Sequence, residues 1–92
     1  MSEQLKDNTA AKRYEYVVDG TLCFVAYRRS PGVVALTHAE VPPALEGRGV
    51  GSRMVRAVLD KVRADGDKVV PLCSFVVAFI QRHPEFQDLV AA

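Results

Sequence analysis

The sequence contains no tryptophan, only two cysteines and no long uninterrupted hydrophobic segment. The two cysteines lie far apart and lack histidine partners at metal-ligand spacing, which argues against a disulfide scaffold or a zinc site. No apolar run reaches the roughly 18 residues that a membrane-spanning helix needs. The formal net charge of +1 gives no electrostatic footprint for nucleic acid or an anionic membrane. We therefore expect a soluble, cytoplasmic protein without a metal, a nucleic-acid partner or a membrane partner.

Hydrophobic residues nevertheless make up 49% of the 92 residues, which is enough to build a core. A chain of this length is expected to fold as one domain. The first residues are polar, with Leu5 as the one sizeable apolar side chain. We expect a flexible lead-in over residues 1–11 and a single domain over residues 12–92.

The first half of the chain predicts three antiparallel strands. Arg13–Val18 and Thr21–Arg29 are rich in β-forming residues, and they flank Asp19-Gly20, a dipeptide typical of a type I′ hairpin turn. Val33–Val41 follows a Ser-Pro-Gly turn and forms the third strand. Apolar residues in the second strand do not alternate with polar ones, so we expect both of its faces to be covered.

The second half predicts a helix, a short strand and another helix. The first helix runs from about Ser52 to Asp65 and ends at Gly66. Val69–Leu72 should lie parallel to the third strand, because a helical crossover joins them. Ser74 can cap the second helix, which ends before Pro84. The order β-β-β-α-β-α predicts a mixed sheet with helices, in the α+β class.

Three glycines at alternate positions, Gly47, Gly49 and Gly51, separate the third strand from the first helix. Glycine permits positive φ and the close approach of a ligand, and a helix start leaves backbone N–H groups unpaired. These N–H groups and the helix dipole attract phosphate, and Arg48 adds a cation. We predict a phosphate or pyrophosphate cradle over Gly47–Ser52. The alternative is a glycine-rich turn that only permits close helix packing.

Four segments together resemble the GCN5-related N-acetyltransferase (GNAT) superfamily. Its acyl-coenzyme A pyrophosphate loop is similar to Glu46-Gly47-Arg48-Gly49-Val50-Gly51, with glutamate where the family usually has Gln or Arg. A very short branch of the superfamily is similar to His38-Ala39-Glu40-Val41-Pro42, Pro71-Leu72-Cys73-Ser74-Phe75 and His83-Pro84-Glu85-Phe86. This chain departs from the pattern of that branch at two positions, where Ala39 replaces the usual Thr and Ser74 replaces the usual Pro. The resemblance covers roughly residues 13–90 in order and spacing.

The resemblance implies a minimal GNAT-like fold and an enzyme that transfers an acetyl group from acetyl-coenzyme A (acetyl-CoA) to an amine of unknown identity. The pantetheine arm of the cofactor would lie between the third and fourth predicted strands. The implied cofactor-binding residues are Val41, Gly47, Arg48, Gly49, Val50, Gly51 and Ser52. A non-catalytic acetyl-CoA-binding or interaction module is the alternative, because so short a chain lacks much of the acceptor wall.

Three side chains are candidates for the acetyl-transfer chemistry. Cys73 precedes the second predicted helix, whose dipole favours a thiolate. It could accept the acetyl group, protonate the leaving thiolate or merely line the tunnel. His38 could act as a base, directly or through a water, and Glu40 on the same strand face could orient it or do the same work. The alternative for both is a solvent-facing strand residue.

Three further expectations concern residues outside this set. Arg53 or Arg56 could reach a cofactor phosphate from the first predicted helix. Cys23 lies among apolar neighbours and should belong to the core. The first predicted strand, Arg13–Val18, should be a sheet edge, and the truncated fold should expose apolar surface, so a weak homodimer is expected.

Overall fold

A computed structural model describes residues 3–91 as five strands in one sheet, two α-helices and two short 3-10 helices. The elements are β1 (Glu3–Asn8), β2 (Arg13–Val18), β3 (Thr21–Ser30), β4 (Val33–Glu40), a 3-10 helix (Pro43–Leu45), α1 (Val50–Ala64), β5 (Lys68–Pro71), α2 (Ser74–Arg82) and a second 3-10 helix (Pro84–Leu89). The sheet order is β1-β2-β3-β4-β5, antiparallel as far as β4, with β5 parallel to β4. The predicted mixed sheet and the α+β class are confirmed.

The sequence prediction of a flexible lead-in over residues 1–11 was wrong for Glu3–Asn8, which forms strand β1. Glu3–Asn8, within the range expected to be flexible, pairs in antiparallel register with β2. Its polar composition concealed the strand, because two of its acidic side chains are satisfied by ion pairs: Glu3 bonds Arg53, and Asp7 bonds Arg29. The edge next to β2 is therefore occupied, and the expected sheet edge at β2 was also wrong. Residues 1, 2 and 92 lie outside the described range, so the structure does not bear on those ends of the predicted lead-in and domain.

Helix α1 crosses one face of the sheet and contacts all five strands. Its apolar stripe was predicted by the helical spacing and consists of Met54, Val55, Val58, Leu59 and Val62. These side chains pack into one core with buried residues of the sheet, including Tyr14, Val25, Val34, Leu36 and Val69. The helix ends as predicted at Gly66, whose N–H donates to the carbonyl of Arg63 in a Schellman arrangement. None of the described helices is long and apolar enough to cross a membrane.

The opposite face of the sheet is only partly covered. On β3, Cys23 is buried as predicted, and Val25 is buried on the same face of the strand. Leu22 lies on the opposite face and is 39% exposed. Its cross-strand neighbour Val17 is 37% exposed. The expectation that both faces of this strand are covered is therefore wrong for the part of the chain that the structure describes.

A β-bulge in β4 determines which side chains face the candidate site. Ala26 pairs with His38 and Tyr27 with Leu36, so Thr37 is left without a direct partner on β3. The Thr37 hydroxyl donates to the carbonyl of Ala26 at 3.2 Å. Because strand side chains alternate, one extra residue exchanges the faces. Leu36 is therefore buried under α1, whereas His38 points to the opposite, exposed face.

Candidate functional site

A cleft of about 450 Å³ opens between the end of β4, the loop that follows it and the starts of α1 and α2. Its lining consists of Ala39, Glu40, Val41, Leu45, Glu46, Gly47, Gly49, Val50, Gly51, Ser52, Met54 and Phe75. Six of the seven residues expected to bind the cofactor lie in this lining, and Arg48 is the exception. The structure thus brings the strand end and the glycine loop together around one cavity.

Gly49 immediately precedes α1 and has the left-handed conformation, with φ 72° and ψ 12°. Val50, Gly51 and Ser52 then occupy the first three helical positions, whose N–H groups have no acceptor within the helix. Among the described residues, no side chain caps this end. A left-handed residue followed by a helical one makes successive N–H groups converge on a common point. These donors and the positive end of the helix dipole form a ready site for an anion.

Gly51 lies close to the Phe75 ring, a contact that the sequence did not indicate. Positive φ occurs at Gly47 and Gly49, whereas Gly51 is an ordinary helical residue. A Cβ atom on Gly51 would lie 2.9 Å from Cζ of Phe75. This glycine therefore makes room for an aromatic ring that forms one wall of the cleft. Sequence reasoning missed Phe75, whose signal was an apolar residue at the start of α2, immediately after the Cys73-Ser74 pair.

Strands β4 and β5 separate at the cleft. Their pairing ends at Leu36 and Pro71, and the N–H groups of Leu72 and Cys73 both donate to the Leu36 carbonyl, at 3.0 and 3.1 Å. Among the described residues, β4 therefore has no strand partner on this side from Thr37 onward. The exposed backbone edge could pair with an extended, amide-containing ligand, as strand additions do.

Among the residues that the structure describes, no lysine or arginine lines the cleft. Arg48 belongs to the glycine loop but lies outside the lining, and its Nη2 atom is 3.8 Å from a carboxylate oxygen of Asp19. Arg53 is paired with a carboxylate of β1, and Arg56 with one of the C-terminal 3-10 helix. Both of these side chains, which were expected to be able to reach a phosphate, are thus held by other partners. The anion-binding groups that the cleft offers are therefore mainly backbone donors.

His38 and Glu40 lie together at the rim of the cleft, as their spacing predicted. The Nε2 atom of His38 is 3.6 Å from Oε1 of Glu40, and both side chains are about 60% exposed. The bulge places them opposite α1, while Ala39 and Val41 pack against the core. Glu40 lines the cleft, whereas His38 does not, and the His38 ring lies 5.9 Å from that of Phe24.

Cys73 is the residue that precedes α2, in an extended conformation at the point where β4 and β5 separate. Its side chain is half-buried against the core and makes no capping hydrogen bond. It does not line the cleft, although Phe75 two residues later does. Ser74, predicted as the cap, is instead the first residue of the helix. Among residues 3–91, no three His, Cys, Asp or Glu side chains group as a metal site.

Behind the loop, two groups have strongly shifted pKa values. The hydrogen bond from Arg53 is the main cause that lowers the pKa of Glu3 to about 2, and the hydrogen bond from Tyr16 is the second cause. Burial, reinforced by the hydrogen bond to Glu3, raises the pKa of Tyr16 to about 12. Glu3 is therefore an anion, and Tyr16 a neutral donor, throughout the physiological range.

The chain is similar in sequence to known proteins. A protein-family profile described as "GCN5-related N-acetyl-transferase" matches residues 13–89. Protein NATD1 from Homo sapiens and from Bos taurus are each 33% identical over 52 residues, which is 56% of this chain and 46% of theirs. The match thus spans about half the length of these curated relatives.

A solved structure has the same overall architecture. The solution NMR structure of a GCN5-like protein from Staphylococcus aureus superposes with a TM-score of 0.72. The superposition covers 97% of this chain and 88% of that chain, at 23% sequence identity. At this level of identity the likeness concerns the fold alone.

Proposed function

Because the chain belongs to the GCN5-related N-acetyltransferase family, we propose that it transfers the acetyl group of acetyl-CoA to an amine. The observation that carries the proposal is the continuity of the cleft, which joins a backbone anion site at the start of α1 to the open edge of β4. Coenzyme A has the same order of chemistry, with phosphates followed by an extended arm that contains amides and ends in the thioester.

We assign the pyrophosphate to the N–H groups at the start of α1, because they converge and lack helical acceptors. The pantetheine arm then follows β4 toward Val41, where the strand edge offers backbone donors and acceptors. Phe75 supplies an apolar wall beside the arm. The absence of cationic side chains from the lining makes the binding depend on backbone geometry more than on net charge.

Acetyl transfer requires a neutral amine, because a protonated amine has no lone pair with which to attack the thioester. The His38–Glu40 pair at the cleft rim is the proposed proton acceptor, directly or through a water. As the N–C bond forms and the C–S bond breaks, the departing thiolate needs a proton. Cys73 could supply that proton, or it could first take the acetyl group as a thioester and pass it to the amine. The acceptor amine is not assigned.

A second function, binding of acetyl-CoA without transfer, is favoured by one observation. His38 and Cys73 both lie outside the cleft lining, so the cleft itself contains binding groups and only Glu40 among the candidate catalytic residues. A binding module would keep the phosphate site and the β4 edge, and it would not need the other two side chains.

Thermal unfolding in the presence of acetyl-CoA, free coenzyme A and ATP tests the binding step. A ligand at about 100 times its dissociation constant should stabilise the fold by about 2.7 kcal/mol. We expect both coenzyme A forms to raise the melting temperature and ATP to have a smaller effect, because ATP lacks the pantetheine arm. Equal shifts with all three ligands, or none at millimolar concentration, would contradict the proposal. Acetylation of any member of an amine panel would then distinguish transfer from binding alone.

A further inference from the structure

Arg53 holds two consecutive carbonyl groups of the glycine loop. Its backbone N–H donates to the carbonyl of Gly49 at 3.1 Å, and its side-chain Nη1 donates to the carbonyl of Arg48 at 2.9 Å. The described peptide bonds are all trans, and a trans peptide is planar with its C=O and N–H on opposite sides. The N–H groups of Gly49 and Val50, which share these two peptide units, therefore point away from Arg53.

Glu3 orients the guanidinium that makes this contact. Arg53 Nε lies 2.9 Å from Oε1 of Glu3, and Nη2 lies 2.8 Å from Oε2. This two-pronged pairing fixes the plane of the guanidinium and leaves Nη1 to reach the loop. The hydroxyl of Tyr16, a residue of β2, donates to the same carboxylate and helps to fix its position. Strand β1 is thereby connected to a loop about 45 residues later in the sequence.

We propose that Arg53, oriented by Glu3, is a positioning residue for the phosphate site. It fixes the two peptide planes whose N–H groups face the ligand, and it does not contact the ligand itself. The arrangement gives two reasons for a glycine at position 49. Its φ of 72° disfavours a side chain, and a Cβ atom there would lie 3.2 Å from Arg53 Nη1. The inference rests on the proposed binding of acetyl-CoA, whose pyrophosphate is the anion concerned.

The test compares R53Q, R53K and E3Q with a matched control on the same helix, R63Q. The side chains of Arg63 and Arg53 are both 43% exposed. Like Arg53, Arg63 pairs with a carboxylate, that of Asp88, and donates to a backbone carbonyl, that of Glu85. It lies roughly 15 Å further along the helix axis, away from the loop. The measurements are acetyl-CoA affinity by titration calorimetry and the amide NMR signals of Gly49 and Val50 in the ligand-free protein. Melting temperatures verify that each variant is folded.

We expect R53Q to weaken acetyl-CoA binding by on the order of tenfold, the range of coupling between neighbouring groups. R53K should fail to restore binding, because an ammonium cannot pair with Glu3 at two points and also reach the Arg48 carbonyl. E3Q should weaken binding less, the E3Q/R53Q double variant no more than R53Q alone, and R63Q not at all. The ligand-free Gly49 signal should move in R53Q and E3Q and stay in place in R63Q.

Two results would overturn the inference. Restored binding in R53K, with E3Q unaffected, would make Arg53 a direct electrostatic partner of the phosphate. An unmoved Gly49 signal in R53Q and E3Q would show that the loop keeps its conformation without them. The ligand-free NMR comparison does not involve acetyl-CoA, so it decides on the positioning role even if the wild-type protein fails to bind that ligand, which would refute the proposed function alone.

Discussion

Replacing Gly51 by alanine should separate two opposing effects in the first turn of α1. An alanine in a helix is more favourable than a glycine by up to about 1 kcal/mol, because glycine loses more backbone entropy on folding. The new Cβ atom, however, would lie 2.9 Å from Cζ of Phe75, so the ring must move. The ring is 45% exposed at the end of a flexible side chain, and it can rotate toward solvent.

We therefore expect Gly51→Ala to change the free energy of unfolding by less than about 1 kcal/mol, with the helical gain offset by lost ring contacts. In a Phe75→Ala background no ring is present, and the same substitution should stabilise the fold by up to about 1 kcal/mol. Chemical denaturation of the four proteins in this double-mutant cycle gives the coupling between the two residues. Acetyl-CoA affinity should fall in Gly51→Ala, because the displaced ring no longer forms the cleft wall.

An equal effect of Gly51→Ala on the free energy of unfolding with and without the Phe75 ring would contradict this expectation. Zero coupling would mean that the two residues do not limit each other. Unchanged acetyl-CoA affinity in both Gly51→Ala and Phe75→Ala would remove the ring from the binding site. Gly49→Ala serves as the contrast, since its φ of 72° predicts a loss of about 1–2 kcal/mol whether or not Phe75 is present.

Four other outcomes follow from the geometry. Gly49→Val should abolish stabilisation by acetyl-CoA, because a β-branched residue resists positive φ; calorimetry with unchanged affinity would contradict this. Iodoacetamide should label Cys73 and spare Cys23, which is buried with a raised pKa; peptide mapping that finds Cys23 labelled first would be inconsistent. Because Cys73 lies outside the cleft lining, its protection by acetyl-CoA is expected only from its proposed role in acetyl transfer. Glu3 has a depressed pKa, so its stabilising effect is complete above its unfolded pKa of about 4.3 and is lost as the pH falls through about 2. The stability difference between the wild-type protein and Glu3→Gln should therefore be constant from pH 7 to pH 5 in urea titrations and shrink in stronger acid, and a difference that already shrinks near neutral pH would contradict this assignment. A weak homodimer, expected because apolar side chains such as Val17 and Leu22 are exposed, should appear in sedimentation at high concentration, and a pure monomer would exclude it.

Features set by neighbouring residues were predictable from the sequence. Asp19 and Gly20 have the positive φ values that their hairpin turn requires. Gly66 ends α1 through hydrogen bonds within its own last turn. The glycine loop and the apolar stripe of α1 were likewise local patterns, and they sufficed to locate the cleft.

Features that depend on contacts between distant residues were not predictable. Strand β1 forms from polar residues because Glu3 meets an arginine 50 positions later, and no pattern within the strand indicates that partner. The bulge at Thr37 leaves no local signature, yet it determines that His38 faces away from α1. The contact between Gly51 and Phe75 joins two helix starts, and only their packing shows that a side chain at position 51 would displace the ring.

An amide NMR titration with acetyl-CoA tests the central claim most directly, because it reports where the ligand binds. We predict saturable shifts at residues 49–52, the largest at the N–H groups that begin α1, together with shifts along the open edge of β4 at residues 37–41. No saturable shift at millimolar acetyl-CoA would contradict the claim. So would shifts centred instead on the basic surface around Lys12 and Arg28, at the other end of the sheet.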